Sequence, residues 1–421
     1  MIRFLFLLSV TFLVLFADSV LTMERAYELA LTNHPGYRVE KFKTQAVEEN
    51  VRQAQSRLFP KVDISASGGK YEYETYYNAT ETSEIYKTYS LSLTQPLYRP
   101  ELWRAVDQMK KRYKTSTIEL EKQAQQVGID VIKTYLQMLK TQADIEKLHS
   151  QKELYDAKFR KSSDMIAMGL SNSVELIEAK VNKEKALSDL ISKKREYQTL
   201  KNKLERLCKT PFDSIAPLKS NKILSISKEE WINRLQENKD IKIARLSKKA
   251  AEDEVAIRGY DHYPKADLSL GRSQNDTNDP VAHKYDNKAF VQLSFPIYQG
   301  GYTSSRVQEA VLLLNAAESN EELAHLQMQD KFEELWTQRE SLHESIDVLK
   351  QALESSKLFL KSVQSGYEKG IKNQIDIMDA ELKMKSIESE LNIAYYDMMV
   401  NEVGLLDLTG QLLTTSSVEM S

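Results

Sequence analysis

The chain has 421 residues, of which 28% are charged, 13 are glycine and 9 are proline. Such a polar composition with few helix breakers favours long helices with solvated faces over several thick globular cores. The formal net charge of -3 gives no general reason to expect a nucleic acid partner. The single cysteine, Cys208, excludes an intrachain disulfide and a zinc site built from several cysteines.

The N-terminus has the pattern of a cleavable signal peptide. Arg3 precedes an apolar stretch over residues 4–16, and small residues follow at a possible cleavage point. The stretch is shorter than the roughly 20 apolar residues that a membrane-spanning helix needs. We therefore predict a signal peptide over residues 1–19. Because Cys208 lies far from this segment, it cannot serve as a lipoprotein cysteine, and export without a lipid anchor is expected.

The next feature is a helix followed by a hairpin and two further helices. Within a first repeat over 20–208, the residues 22–58 have a helical pattern. Residues 61–96 alternate with period two on both sides of a polar tip, which predicts a β-hairpin. A helical pattern then continues over 101–166, for roughly 100 Å at the α-helical rise. A break containing glycine and another helix complete the repeat.

The remainder of the chain repeats this order. Residues 209–227 contain two prolines and several serines and are predicted to form a linker or equatorial segment. A second repeat occupies 228–410, and residues 411–421 are an unpatterned C-terminal tail. Its predicted elements are a helix over 228–258, a hairpin over about 265–296, a long helix over 303–366 and a last helix over 375–408.

The two repeats also match residue by residue. The sequence RLFPKVDISASG at 57–68 corresponds to HYPKADLSLG at 262–271, and a later match pairs 168–181 with 369–382. A duplication that holds its register over about 200 residues indicates two structurally equivalent halves. The fold must therefore be one that a doubled unit can build.

Both kinds of element indicate self-association. The long helix of the second repeat has a near-heptad apolar stripe, which is typical of a coiled-coil seam. The stripe consists of Leu342, Ile346, Leu349, Leu353, Leu360 and Val363. Four strands are too few to close a sheet within one chain, and open edges are tolerated poorly in lipid and in water. Since closed sheets in membranes start at about eight strands, two or more chains must contribute.

Each hairpin ends in a proline that is followed two residues later by a tyrosine. Pro96 precedes Tyr98, and Pro296 precedes Tyr298. Proline is suited to a strand end because it has no ladder donor. The tyrosines are explained either by an interface, with the ring inward and the hydroxyl in water, or by packing of a turn.

Each long helix ends near a glycine, and a carboxylate follows six residues later. Glu175 follows Gly169, and Asp376 follows Gly370. Asp379 lies three residues further on and shares a helical face with Asp376. Stabilisation by the helix dipole is a sufficient explanation for each carboxylate alone, so the spacing itself leaves their role open.

This doubled order, behind a signal peptide, resembles the TolC-like outer-membrane efflux proteins over essentially the whole mature chain. The residues that carry the resemblance are NHP at 33–35, FPKVDISASG at 59–68, QPLY at 95–98, FPIYQGG at 295–301 and the two breaks. The resemblance implies a mostly α fold with β structure and a trimer. Each chain would contribute four strands to a shared transmembrane β-barrel, and the coiled-coil helices would form a periplasmic tunnel.

The resemblance also implies roles for residues in and beside the breaks, which are the periplasmic helix tips in that family. The positions that match the acidic rings of the periplasmic gate are Asp376 and Asp379. The positions that match the gate latch are Tyr367, Lys372 and Glu175. The positions that match the adaptor-docking tips are Gly169, Leu170, Gly370 and Ile371. Threefold symmetry would turn the two aspartates into stacked carboxylate rings that favour cations, and a latch of one hydrogen bond and one charge pair is weak enough to be opened.

The chain departs from the family pattern at three places. The second repeat has NKD at 238–240 where the first has NHP, so a different turn is expected there. Lys372 replaces a usual arginine and loses the bidentate fork, which predicts a looser latch. The segment 209–227 is short, which leaves the equatorial region open.

The function implied is that of a passive outer-membrane exit duct for an inner-membrane efflux pump or a type I secretion system. The implied partners are two further copies, a periplasmic adaptor, an inner-membrane transporter of the RND, ABC or MFS type, and outer-membrane lipid. The alternative is a periplasmic coiled-coil adaptor or scaffold, although adaptors carry a single helical hairpin. Neither catalytic motifs nor metal-ligand spacings occur among the six histidines, so no enzyme activity, cofactor, metal or nucleic acid is expected.

Overall fold

The protein is described here by a computed structural model. The predicted signal peptide over 1–19 and the predicted tail over 411–421 lie outside the described residues. So do the tips of both predicted hairpins and part of the predicted linker. The described residues are 20–74, 81–170, 173–218, 224–277 and 284–410.

The elements follow one another in the same order in both sequence repeats. In the first, they are β1 (Val20–Leu21), α1 (Met23–Asn33), α2 (Pro35–Ser56), β2 (Lys61–Glu74), β3 (Glu81–Tyr98), α3 (Pro100–Ala167) and α4 (Ser173–Cys208). After β4 (Ser214–Ile215), they are α5 (Lys228–Arg234), α6 (Lys239–Gly259), β5 (Lys265–Thr277), β6 (Tyr285–Ser294), α7 (Tyr302–Glu368) and α8 (Gln374–Leu408). Short 3₁₀ turns follow α5 and α6.

The helix predicted over 22–58 is two helices. His34 takes an extended conformation, with φ -67° and ψ 123°, because the residue before a proline is disfavoured in the helical region. Pro35 then occupies the first turn of α2, where its missing N–H costs nothing. The helix predicted over 228–258 is interrupted too, but by a 3₁₀ turn over Leu235–Glu237 and without a proline. There Asn238 begins α6, and its side chain accepts the backbone N–H groups of Asp240 and Ile241.

A four-stranded antiparallel sheet has the order β2-β3-β5-β6. Its register places Ile64 opposite Leu91 and Leu268 opposite Val291, so apolar side chains lie on one face. We call this surface the apolar face; its members are Val62, Ile64, Leu91, Leu93, Leu268, Leu270, Val291 and Leu293. The opposite face contains mostly serine, threonine and aspartate. Ile64 and Leu293 are 83% and 71% exposed, so no layer formed by the described residues covers these parts of the apolar face.

A second sheet consists of the two-residue strands β1 and β4, which pair in parallel. The buried Tyr135 hydroxyl holds this pair together, since it lies 2.9 Å from the carbonyl oxygen of Leu21 and 2.6 Å from that of Ala216. Burial raises the pKa of Tyr135, which therefore stays a neutral donor. Of its two strands, only β4 lies in the segment predicted as a linker, and strands of two residues are too short for a periodic pattern.

The chain forms two compact units, each built from parts of both repeats. The first contains residues 20–38, 330–410 and the described part of 123–236, and the second contains 39–122 and the described part of 237–329. In the first unit the near-heptad stripe of α7 packs against α8. This core consists of Ile346, Leu391, Ala394 and Met398, surrounded by Leu342, Leu349, Leu353 and Tyr395. The second unit contains the four-stranded sheet with α2, α6 and the adjoining parts of α3 and α7.

Within the part of the chain that the structure describes, no helix combines the length and apolar character needed to cross a membrane.

Candidate functional site

Both glycine-containing breaks belong to the first unit, and the first break ends α3 with a Schellman turn. Gly169 has φ +71°, a left-handed conformation that glycine adopts without strain. Its N–H donates to the carbonyl oxygen of Ile166 at 2.9 Å, and the N–H of Leu170 donates to that of Met165 at 2.8 Å. These bonds satisfy the last carbonyl groups of the helix.

The second break repeats the same turn at the end of α7. Gly370 has φ +73°, and its N–H donates to the carbonyl oxygen of Tyr367 at 2.9 Å. The N–H of Ile371 donates to the carbonyl oxygen of Gly366 at 2.9 Å, and the N–H of Lys372 donates to the same oxygen at 3.1 Å. A Cβ on Gly169 or Gly370 would meet nothing within 4 Å. Both glycines are therefore required by the backbone conformation and not by packing.

The tips are apolar and exposed. In a Schellman turn, the residue after the glycine usually packs back on its own helix. Here that residue is Leu170 or Ile371, and the two are 68% and 76% exposed. Further apolar side chains are exposed beside the first break. They are Met168, Val174, Ile177 and Val181.

Asp376, the first predicted gate carboxylate, closes a capping box at the start of α8. The side chain of Asn373 accepts the backbone N–H groups of Ile375 at 2.8 Å and of Asp376 at 3.2 Å. In return, Oδ2 of Asp376 accepts the backbone N–H of Asn373 at 2.8 Å. One carboxylate oxygen is thus engaged by the backbone, so Asp376 has a structural role whether or not it also lines a gate.

Asp379, the second predicted gate carboxylate, is exposed and paired with a lysine. Nζ of Lys158, on α3, lies 3.0 Å from Oδ1 of Asp379. Both side chains are well exposed, so solvent screens the pair and its contribution to stability is small. The two predicted gate residues therefore differ, since one is bound by the backbone and the other by a side chain of another helix.

The predicted latch residues lie on both breaks. Tyr367 is in the last turn of α7, Lys372 follows the turn, and Glu175 is in the first turn of α4. The side chain of Lys372 folds over Gly366, because a Cβ built on Gly366 would lie 2.9 Å from Cγ of Lys372. A glycine one turn before the break thus makes room for the lysine stem.

Ion pairs hold the α3–α4 hairpin together below the first break. Lys183 of α4 lies 3.1 Å from Oδ1 of Asp156, and Lys193 lies 3.4 Å from Oδ2 of Asp144. Lys152 also donates to Asp156 at 2.6 Å. The hydrogen bond from Lys152, reinforced by Lys183, holds the pKa of Asp156 below its usual range.

Three residues of this site were missed by sequence reasoning, namely Gly366, Asn373 and Lys158. Asn373 with Asp376 is an N-x-x-D start signal that the sequence contains openly. The sequence shows that Gly366 lies within a helical segment, but it does not show that the side chain of Lys372 packs against it. Lys158 carries no signal, because it lies 221 residues from its partner.

Both repeats of the chain match the sequence model of a known family. The sequence model of the family described as "Outer membrane efflux protein" matches residues 26–208 and 233–411. The chain belongs to the outer membrane efflux protein family. The predicted membership is confirmed, and the alternative of a periplasmic adaptor or scaffold is not supported. This family consists of outer-membrane channel proteins.

Curated members of the outer membrane efflux protein family are distant but match over most of their length. Outer membrane protein TolC of Escherichia coli is 22% identical over 407 residues, which is 92% of this chain and 82% of TolC. Alkaline protease secretion protein AprF of Pseudomonas aeruginosa is 23% identical over 400 residues, covering 89% and 81% of the two chains. Among solved structures, the outer membrane protein VceC of Vibrio cholerae superposes with a TM-score of 0.77 at 17% identity, covering 92% of this chain and 96% of VceC. The predicted mostly helical fold with strands is confirmed by this likeness.

Proposed function

We propose that the protein is an outer-membrane channel that acts, as a trimer, as the exit duct of an efflux or type I secretion system. The observation that carries this proposal is the family match over both repeats, 26–208 and 233–411. The names of relatives support it, since one is an alkaline protease secretion protein and another family member is an outer membrane efflux protein, BepC of Brucella suis.

The sheet supports a place in the membrane. Its apolar face has exposed side chains on each of the four strands, and the opposite face is mostly polar, as expected for strands with lipid on one side and water on the other. The outer strands β2 and β6 leave two edges, which lipid does not tolerate. Three copies joined edge to edge remove these edges and give a closed sheet.

The two breaks support a gate at the periplasmic end of the helices. Asp376 and Asp379 of three chains form two carboxylate rings in this proposal, and Tyr367, Lys372 and Glu175 form the latch. A screened contact of this kind opens at little cost when a partner binds the open state more tightly. The conduit is passive, and the partner pump supplies the energy, so the proposal includes no enzymatic step, cofactor or metal.

The exposed tips support docking of a periplasmic adaptor. Leu170 and Ile371 follow the tip residues Gly169 and Gly370 and present apolar side chains that the turns do not use. The adaptor would in turn connect the channel to an inner-membrane transporter of the RND, ABC or MFS type. The six histidines and the balanced charge offer no nucleic acid site.

Fractionation and electrophysiology test the channel. We expect heat-sensitive oligomers in the outer-membrane fraction and discrete ion conductance after reconstitution in planar bilayers. A soluble monomer recovered from the periplasm contradicts the proposal.

The gate is tested by removing its charges. Replacing Asp376 and Asp379 by alanine should raise conductance or weaken the block by trivalent cations, because the carboxylate rings are lost. The pair Asp376→Asn and Asp379→Asn separates charge from folding, since an asparagine at 376 keeps an oxygen for the capping box. Glu178→Ala, at the position equivalent to 379 in the first repeat, is the matched control and should leave the block unchanged. Unchanged behaviour of both double variants rejects the gate assignment.

A further inference from the structure

The outer strands of the sheet, β2 and β6, are the edges through which one copy can pair with the next. Among the described residues β2 pairs only with β3, and β6 only with β5. Because β2 and β6 run in opposite directions, joining β6 of one copy to β2 of the next continues the antiparallel order. The inference below rests on the proposed self-association and concerns the register of that joint.

The chain already contains one joint between a first and a second hairpin. β3 ends the hairpin of the first repeat and pairs with β5, which begins the hairpin of the second. In this joint Leu93 is opposite Leu270 and Pro96 is opposite Asp267. A bulge at Leu97 follows, and Tyr98 is opposite Ala266.

The duplication makes this joint a template for the contact between copies. Pro96 corresponds to Pro296, and Pro264 corresponds to Pro60. The two hairpins support these equivalences independently, since Ile64 pairs with Leu91 and the equivalent Leu268 pairs with Val291. Both hairpins thus have the same internal register. The β6 strand is then equivalent to β3, and β2 is equivalent to β5.

We propose that β6 of one copy pairs with β2 of the next in the register of β3 with β5. This places Leu293 opposite Ala66 of the next copy and Pro296 opposite Asp63. Leu293 and Ala66 both lie on the same side of the sheet as the apolar face, so the apolar surface continues across the joint. A slip of one residue would place Leu293 opposite Ser65 and move the apolar side chains of one strand to the polar face. The alternative registers are therefore those that differ by two residues.

The same template identifies a polar contact beside the strands. Within the chain, Nε and Nη2 of Arg99 donate to the two carboxylate oxygens of Asp267, at 2.8 Å and 2.5 Å. This bidentate pair ties the start of α3 to β5. The equivalent residues are Gln299, before α7, and Asp63, on β2. Gln299 of one copy therefore meets Asp63 of the next.

The joint between copies is chemically the weaker one. The glutamine amide can give the carboxylate a single hydrogen bond from an uncharged donor, whereas the arginine gives two from a charged donor. Oε1 of Gln299 already accepts a hydrogen bond from the hydroxyl of Thr303 at 2.6 Å, and this bond fixes the orientation of the amide group. Asp63 is half exposed and lies 3.0 Å from Lys61 on its own strand.

Paired cysteines test the register in the full-length protein. Directly opposite residues on paired strands have Cβ atoms about 4.5–5.5 Å apart, and diagonal neighbours are about 7–8 Å apart. Leu293→Cys with Ala66→Cys should therefore form a disulfide between copies, seen as covalent dimers and trimers on denaturing gels. Leu293→Cys combined with Ile64→Cys or with Gly68→Cys represents the two slipped registers and should cross-link several-fold less. The native Cys208 is buried and present in all three variants.

The outcomes of the cross-linking separate the proposed register from the proposed function. Strongest cross-linking of 293 with 64 or with 68 overturns the proposed register. A heat-sensitive trimer in which none of the three pairs cross-links also overturns it, but leaves the proposed function standing. Absence of any oligomer rejects the proposed function itself, together with the register.

The polar contact has its own test. Gln299→Arg should raise the temperature at which the trimer dissociates by several degrees, because it recreates the Arg99–Asp267 pair between copies. Gln299→Glu places two carboxylates together and should lower that temperature. Asp63→Asn should remove the difference between the two variants. Equal dissociation temperatures for Gln299→Arg and Gln299→Glu overturn the contact.

Discussion

The α3–α4 hairpin and the α7–α8 hairpin occupy equivalent places in the two repeats but differ in the side chains that join their helices near the breaks. Position 193 of the first is a lysine paired with Asp144, whereas the equivalent Ala394 lies in the apolar core of the second. Likewise Lys183 of α4 lies 3.1 Å from Asp156 of α3, whereas Met384 occupies the equivalent position on α8. Both hairpins bury a leucine at the equivalent positions 190 and 391, but the first adds ion pairs where the second has apolar side chains.

The difference teaches which hairpin is more easily opened. Screened ion pairs contribute about 0–1 kcal/mol each, whereas a buried isoleucine or leucine contributes several times more. We therefore expect α7 and α8 to move as one body. The α3–α4 hairpin should separate more readily, and its separation should depend on salt.

The largest expected effect is at the core of the second hairpin. Ile346 is 1% exposed, so Ile346→Ala should lower the free energy of unfolding by about 2–4 kcal/mol through lost burial and a cavity. The equivalent Ile145 is only half buried, and Ile145→Ala should cost clearly less. Denaturant unfolding followed by helical circular dichroism measures both. Equal losses would remove the proposed contrast between the hairpins.

The turns should behave alike, which tests the other half of the comparison. Gly169→Ala and Gly370→Ala each force an alanine into a left-handed conformation, at a cost of about 1 kcal/mol. Because neither site has a neighbour within 4 Å, no clash adds to that cost. Thermal unfolding of both variants should therefore show similar shifts. A large difference would mean that one turn relies on contacts beyond its own backbone bonds.

The capping box should give a loss of similar or smaller size, confined to the second break. Asp376→Ala removes the acceptor for the N–H of Asn373 and should cost about 1 kcal/mol. Asp376→Asn keeps an oxygen acceptor and should cost less. Hydrogen exchange of the Asn373 amide reports the contact directly, and an unchanged exchange rate in Asp376→Ala would contradict it.

The smallest expected effect is at the ion pairs of the first hairpin. Lys183→Met introduces the residue found at the equivalent position 384 and removes the contact with Asp156. It should cost less than about 1 kcal/mol, and the cost should shrink at high salt. A loss that does not change between low and high salt would indicate that packing of the lysine stem matters more than its charge.

The same cluster predicts a pH dependence with a definite sign. The pKa of Asp156 is lowered in the folded protein by Lys152 and Lys183. Its contribution is therefore fully present above the ordinary aspartate pKa of about 3.9 and is lost as the pH falls through the lower folded value. Asp156→Asn should flatten this part of the stability profile. An Asp156→Asn profile that falls as steeply as the parent's would assign the loss to other carboxylates.

Much of the architecture could be predicted because its signals are long and periodic. The helix predicted over 101–166 is Pro100–Ala167, and the strand predicted to end at Pro96 continues to Tyr98 through a bulge. The break at His34 was missed, although the proline that causes it is plain in the sequence. Two-residue strands such as Val20–Leu21 have no periodicity to detect.

The site was less predictable, for a different reason. Its turns are local, so their glycines could be recognised in advance. Its side-chain partners are not local, as Lys158 and Asp379 show. Resemblance to the family pointed to Asp376 and Asp379 together and gave no sign that one is bound to its own backbone while the other pairs with α3. The roles assigned to both aspartates remain predictions.

The turn at the second break satisfies its own backbone donors. The backbone N–H groups of Gly370, Ile371, Lys372 and Asn373 all donate within the turn itself. These bonds satisfy the turn from within the chain, and Ile371 is exposed at its end. If the proposed adaptor docks at this tip, we expect little binding free energy to be lost to the ordering of a loop. We therefore expect the proposed docking to be reversible without refolding of the tip.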